Sequence, residues 1–349
     1  MADLFSPIKI KQTTIQNRIV LPPICCFNWS DDTGFISDKH ILHYERRAQG
    51  GTGTIILEPH CVRKDGRISS SQLGIWSDDH IKGIKQVVEK CHEYDSIVLV
   101  QLHYSGLIPI QSADNLDSAY YTDGEMQASL LTIGEIHELQ RSFVDAAVRA
   151  KKAGADGIEL HGSHRQLLDQ FVSPFFNTRM DEYGGSLSNR LRFSIEIIDK
   201  IRKATGENFI ISYKLGANQP SIEAGIEIAK LLERKGIDLL HVSISRTSKE
   251  TQKVPKSFRY SWLVYMGTEI RKHVKVPVIV VGSIYEPEEA TYLIENDLAD
   301  FAAIGKGLLV DPIWAYKAQY KQMVKPCLNC TKCSGFTDYS LCPQYRFYI

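Results

Sequence analysis

"IGEIHELQRSFVDAAVRAKKAGADGIEL", Ile133 to Leu160, is the stretch on which the fold turns. Ile136, Leu139, Phe143, Ala147 and Ala150 recur at spacings of three and four, which puts them on one apolar face of a helix. Gly154 ends that pattern, and Gly157–Leu160 follows as a short apolar strand. "KLLERKGIDLLHVSI", Lys230 to Ile244, repeats the order of helix, glycine and strand. Outward from these, further strand candidates are Arg18–Ile24, Thr54–Glu58 and Ile97–Leu102, then Phe209–Leu215, Leu239–Ile244, Val276–Val281 and Asp300–Ile304. Strands alternating with helices in this number, within 349 residues, predict an α/β chain folded as a single (β/α)8 TIM barrel. An open Rossmann-type sheet is the alternative, weakened because no G-x-G-x-x-G follows the first strand. The barrel is expected over residues 1–324 and a short cysteine-rich tail over 325–349.

Composition narrows the function. Lys plus Arg and Asp plus Glu both number 41, so balanced charge gives no electrostatic case for nucleic acid or an anionic membrane. The longest apolar runs, such as Ile19–Phe27, are too short to span a bilayer. The N-terminus lacks the pattern of a signal peptide, so a cytoplasmic protein is expected.

A barrel places its chemistry just after the C-terminal ends of its strands. Read in order, those ends are Pro23-Ile24-Cys25, Glu58-Pro59-His60, Gln101 to Tyr104, His161 to Gln166, Lys214, His241 to Ser245, Gly282-Ser283 and Gly305-Lys306. Polar residues gather there. Small residues at Gly282-Ser283 and Gly305 let backbone N–H groups approach an anion, and Lys306 adds a charge, as phosphate sites on barrels do. Cys25, Cys26, Cys61 and Cys91 are scattered in apolar segments and read as buried thiols. Cys327, Cys330, Cys333 and Cys342 instead form C-x2-C-x2-C-x8-C, a spacing that suits a [4Fe–4S] cluster, or less often Zn2+; an empty tail stays open beside them.

"HGSHRQLLDQFVSPFFNTRMDEYGGSLSNRLRF", His161 to Phe193, closely resembles the signature of the Old Yellow Enzyme family of FMN-dependent oxidoreductases. The likeness extends to "LFSPIKIKQTTIQNRIVLPPICC", "GRISSSQLGIWSDDHI", "VLVQLHYSG" and "ADFAAIGKGLLVDP", so it covers nearly the whole barrel. The resemblance implies FMN across the barrel mouth. Pro23, Ile24, Cys25 and Pro59 would lie against its ring, Gln101 at the pyrimidine edge, Lys214 near N1 and O2, and Gly282, Ser283, Gly305 and Lys306 on the phosphate. His161 and His164 would hold the oxygen of an activated alkene while hydride passes from flavin N5, with NAD(P)H reloading the flavin.

The chain also departs from the family. Lys214 and Lys306 stand where the family commonly has Arg, which keeps charge and loses the bidentate fork. The tyrosine that normally protonates the α-carbon is replaced by Gln166, and a carboxamide is no general acid near neutral pH. Tyr104 is a substitute donor by position alone, water is another, and Arg165 would steady an anionic substrate group. An acceptor needing no fixed donor, such as a nitro compound or quinone, is equally consistent. Larger relatives resembling dienoyl-CoA reductases and trimethylamine dehydrogenase carry a cluster after the barrel. That leaves three readings: an NAD(P)H-dependent ene-reductase, an Fe–S flavoprotein fed by an electron-donor protein, or a non-catalytic flavin redox sensor. A homo-oligomer is compatible with all three.

Overall fold

In a computed structural model, which describes residues 2–106, 131–245, 254–334 and 341–344, eight parallel strands close into a barrel. Residues 335–340 and 345–349 of the expected tail lie outside the described residues. A hairpin, β1 (Ile8–Ile10) and β2 (Thr13–Ile15), precedes the barrel strands β3 (Ile19–Leu21), β4 (Thr54–Cys61), β5 (Ile97–His103), β6 (Gly157–Gly162), β7 (Ile210–Gly216), β8 (Leu239–Ser243), β9 (Val278–Val281) and β10 (Phe301–Ala303). β10 closes on β3, and every other barrel strand pairs with its sequence neighbour. Helices alternate with them: α1 (Asp38–Gln49), α2 (Ile81–His92), α3 (Ile133–Lys152), α4 (Leu167–Val172), α5 (Leu187–Thr205), α6 (Ile222–Arg234), α7 (Trp262–Arg271), α8 (Pro287–Glu295), α9 (Lys306–Val310) and α10 (Trp314–Gln319). None of the described helices is long and apolar enough to cross a membrane.

All the strand candidates sit in this barrel, with shifted ends. The first was expected through Ile24 and stops at Leu21, because Pro22 and Pro23 carry no N–H for the ladder. Strand alternation sorts the apolar residues into two cores. Ile56, Ile97, Leu99, Ile210, Leu239, Ile279 and Phe301 fill the barrel. Ile55, Leu57, Val98, Val100 and Ile158 face outward, where Ile136, Leu139, Phe143, Ala147 and Ala150 of α3 meet them. Thr132 caps α3 by accepting from the Glu135 N–H, and Glu135 returns a bond to the Thr132 N–H at 2.8 Å.

Two features were not evident from the pattern. Ile10 and Ile15 of the hairpin join the interior core, in strands of three residues that are too short to show a period. In β4 the register against β5 slips between Leu57 and His60, so Pro59 sits in a bulge. A proline inside a paired strand is tolerated at such a bulge, and the bulge re-aims the residues at the barrel mouth.

Candidate active site

The same alternation that fills the barrel floor raises polar residues above it. Leu99 is followed inward by Gln101 and His103, Gly157 by Glu159 and His161, Ile210 by Ser212 and Lys214, Leu239 by His241 and Ser243. Glu159, fully buried, is the hub. It accepts from Gln101 Nε2 at 2.7 Å and from Ser212 Oγ at 3.3 Å, and lies 3.0 Å from His241 Nδ1. Burial pushes its pKa up, but the charge and hydrogen bond of His241, with Lys214 and Gln101, outweigh burial and leave the carboxyl below its ordinary value. Lys214 is lowered by burial, against the raising effect of Glu159.

Above this hub the histidines touch in series. His103 Nδ1 lies 3.1 Å from His161 Nδ1, His161 Nε2 lies 3.2 Å from His164 Nδ1, and His164 Nε2 lies 2.9 Å from Ser243 Oγ. Burial holds His103 down to about 3 and both His161 and His164 well below the usual imidazole range. All three rings are therefore neutral at pH 7.

The His161–Gln166 turn is bent by two successive left-handed residues, His164 (φ 57°) and Arg165 (φ 59°). Such conformations in non-glycine residues cost roughly 1–3 kcal/mol each and need support from around them. Asp169 supplies it. Its Oδ2 accepts from the Arg165 N–H at 2.7 Å and from Ser245 Oγ at 2.6 Å, and Oδ1 accepts from Gln219 Nε2 at 3.1 Å. Burial raises the Asp169 carboxyl to about 7. Gln166 caps α4 and donates Nε2 to the His164 carbonyl at 3.2 Å, while its Oε1 is buried without a hydrogen bond. The Arg165 guanidinium lies 5.4 Å from the centre of the Phe176 ring. Tyr104 lies just past the end of β5, buried in the outer core with its ring against Gly66.

On the other side of the mouth, Pro23, Ile24 and Cys25 are half-buried, and a side chain on Gly305 would meet Pro22 and Ile24 at 3.5 and 3.6 Å. The Cys26 N–H donates to Glu58 Oε2 at 2.9 Å, and Glu58 lies 3.5 Å from His40 Nε2. Burial, then the Glu58 charge, raises the Cys25 thiol well above its usual range. At the end of β9, Gly282 adopts φ 130° and Ser283 φ 56°. Lys306 follows β10, its Nζ 3.4 Å from Asn329 Oδ1. It lines a cavity that Cys327, Cys330, Cys333 and Cys342 also line. All eight cysteines are free thiols, and no group of three or more His, Cys, Asp or Glu among the described residues is arranged to hold a metal ion.

Residues 3–324 match the model of the NADH:flavin oxidoreductase / NADH oxidase family. The chain belongs to the Old Yellow Enzyme family. It is 40% identical over 347 residues to an NADH oxidase of Thermoanaerobacter brockii, covering 94% of this chain and 52% of that protein. It is 34% identical to an NADPH dehydrogenase of Geobacillus sp. (strain WCH70), covering 90% and 93% of the two chains. A 2-naphthoyl-CoA reductase in complex with 2-naphthoyl-CoA shares the fold, with a TM-score of 0.82 at 22% identity over 96% of this chain and 56% of that one. The chain thus spans about half the length of the NADH oxidase and of the reductase, and nearly all of the dehydrogenase.

Old Yellow Enzyme relatives are flavin oxidoreductases, and this mouth fits a flavin. Gln101 Oε1, His241 Nε2 and His103 Nε2 are buried with no hydrogen-bond partner, which leaves polar atoms for a ligand to satisfy. The structure brings together Gln101, Lys214, His161 and His164 around one mouth and sets Ile24 beside Gly305, while the Tyr104 ring packs against Gly66. Sequence reading passed over His103, Glu159 and Asp169. His103 was findable: it stands two residues after Gln101 in the same strand and so faces the same way. Asp169 was not, because its role depends on a turn conformation that spacing does not disclose.

Proposed function

We propose that this chain is an FMN-dependent NAD(P)H oxidoreductase that reduces an activated, enone-like C=C bond or a related electron-poor acceptor such as a nitro compound or quinone. The observation that carries this is the pair of buried, neutral histidines beside unpartnered Gln101 Oε1 and the buried Lys214 ammonium. FMN, when bound, supplies hydride to the substrate β-carbon and is reloaded by NAD(P)H. Lys214 and Gln101 would take the ring, while Gly282, Ser283, Gly305 and Lys306 would take the phosphate, the positive φ of Gly282 opening its backbone to an anion. Pro23, Ile24, Cys25 and Pro59 would bound the ring.

A substrate oxygen between His161 and His164 replaces their 3.2 Å contact and receives N–H donors from both rings. Neutral rings suit this task, since they donate without surrendering a proton. Arg165, held over Phe176, steadies the turn that carries the pair. The barrel and the cysteine-rich tail act as two units, in a cytoplasmic protein.

A second reading concerns the four tail cysteines, which line a single cavity but are not arranged there as metal ligands. Bound as a [4Fe–4S] cluster, they would accept electrons from a partner protein. Anaerobic titration with NADH and NADPH, followed by reoxidation with enones, nitro compounds and quinones, tests the first reading. Flavin that neither nucleotide reduces would overturn it, and iron and sulfide content of anaerobically purified protein tests the second.

A further inference from the structure

We propose that His103 and Ser243 set the tautomers of the His161–His164 pair, so that both rings turn an N–H toward a substrate oxygen. The inference rests on the ene-reductase reading above and makes His103 and Ser243 positioning residues.

A neutral imidazole carries one N–H and one bare nitrogen, and the hydrogen bond made at one nitrogen decides the state of the other. The nitrogens that face each other within the pair, His161 Nε2 and His164 Nδ1, lie 3.2 Å apart and are the ones a shared oxygen meets. Their remaining nitrogens are held from outside. His161 Nδ1 lies 3.1 Å from His103 Nδ1, and His164 Nε2 lies 2.9 Å from Ser243 Oγ. The backbone N–H of His164 donates to the Ile244 carbonyl at 2.9 Å, which fixes the turn beside Ser243. An oxygen that enters between the pair displaces neither outer contact.

The polarity follows. For His161 Nε2 to carry its N–H, His161 Nδ1 must be bare, and His103 must donate to it from Nδ1. That leaves His103 Nε2 bare, the nitrogen that is buried and makes no hydrogen bond. For His164 Nδ1 to carry its N–H, His164 Nε2 must be bare and accept from Ser243 Oγ–H. Two N–H groups do not face each other across 3.2 Å, so one ring holds the other tautomer while the site is empty of substrate. His164 is that ring, because it is half-buried and its outer partner is a hydroxyl, which both donates and accepts. Its proton then rests on Nε2, donated to Ser243 Oγ, and its Nδ1 accepts from His161 Nε2–H. The alternative needs His161 and His103 to change together, and these rings are only 6% and 1% exposed. When the oxygen binds, one proton leaves His164 Nε2, one reaches Nδ1 through water, and the Ser243 hydroxyl turns from acceptor to donor. The ring stays neutral throughout.

The test uses the FMN-loaded full chain carrying 15N-labelled histidine, with 4-chlorophenol as the oxygen ligand. Ligand-free spectra at pH 7 should show Nδ1–H at His103 and Nε2–H at His161 and His164. Added 4-chlorophenol should move His164 alone to Nδ1–H. Ser243→Ala and His103→Leu should each weaken 4-chlorophenol binding about 10-fold, read by titration of the flavin spectrum. Ser243→Thr keeps a hydroxyl, and His103→Asn keeps an amide N–H near the Nδ1 position, so both should bind nearly as the parent does. Unchanged binding in Ser243→Ala or His103→Leu overturns the inference, as does an equal loss in the Thr and Asn variants, which marks a packing role. Nε2–H at His103 or an imidazolium at any of the three rings also overturns it. A parent that does not bind 4-chlorophenol, or that binds it equally well as His161→Ala with His164→Ala, overturns the oxygen-anchoring reading instead. The tautomer order then stands or falls on the ligand-free spectra.

Discussion

The barrel mouth and the cysteine tail both concentrate residues that bind metals or move protons, yet they are built in opposite ways. At the mouth, Gln101, Glu159, His161 and His241 are buried on adjoining rigid strands, and hydrogen bonds join neighbour to neighbour. In the tail, Cys330 is exposed and Leu328 is 57% exposed, and the described residues reach the barrel through contacts such as Tyr285 Oη to Asn329 Oδ1. The difference teaches that clustering in sequence and pre-organisation in space are separate properties. The tail cysteines are adjacent because the chain is short between them. The mouth residues come from strands up to 82 residues apart in pairwise contact and are held by the sheet.

The comparison can be broken most severely at the mouth. His161→Ala with His164→Ala should cut enone reduction about 1,000-fold and abolish phenol binding, read by stopped-flow kinetics and by titration of the flavin spectrum. Unchanged phenol binding would refute the oxygen-anchoring role.

Next in size is Glu159→Gln, which strips the buried counter-charge from His241 and Lys214. We expect a loss of about 3 kcal/mol in urea unfolding, as for other buried ion pairs that lose one partner. Because the folded pKa of Glu159 is depressed, its contribution is present above its unfolded pKa and disappears as the pH falls. Glu58 runs the other way. Burial raises its carboxyl from 4.5 to about 7, so its contribution is full below pH 4.5 and is lost as the pH rises through about 7. Glu58→Gln should therefore flatten that decline, by roughly 3 kcal/mol between pH 4.5 and 8 in chemical denaturation.

The smallest effect belongs to the tail. Cys330→Ser should move the barrel's melting temperature by no more than about 1 °C. A larger shift would show that the tail is integral to the barrel core, and loss of iron from anaerobically prepared protein would sharpen the cluster reading.

Much of this was legible in the chain. Periodicities of two and of three to four placed the barrel strands and the apolar face of α3, because burial imposes the same spacing on sequence and structure. The resemblance carried by His161–Phe193 named the family, but it runs together two kinds of residue. His161 and His164 are at the mouth, whereas Asn177 donates to the Phe171 and Tyr183 carbonyls at 2.7 Å and Arg179 pairs with Asp181, a scaffold rather than a site. The motif's unity in sequence hides that division.

What the sequence alone determined is the layered barrel, the family and the set of strand ends that converge, since each follows from local patterning. Only the tertiary structure decided that the Tyr104 ring packs against Gly66, that Lys306 meets Asn329, and that the His161 ring touches histidines on both sides. Those outcomes depend on closure of the sheet, which sets strand against strand to within a few ångströms. Spacing along a chain carries no record of that distance.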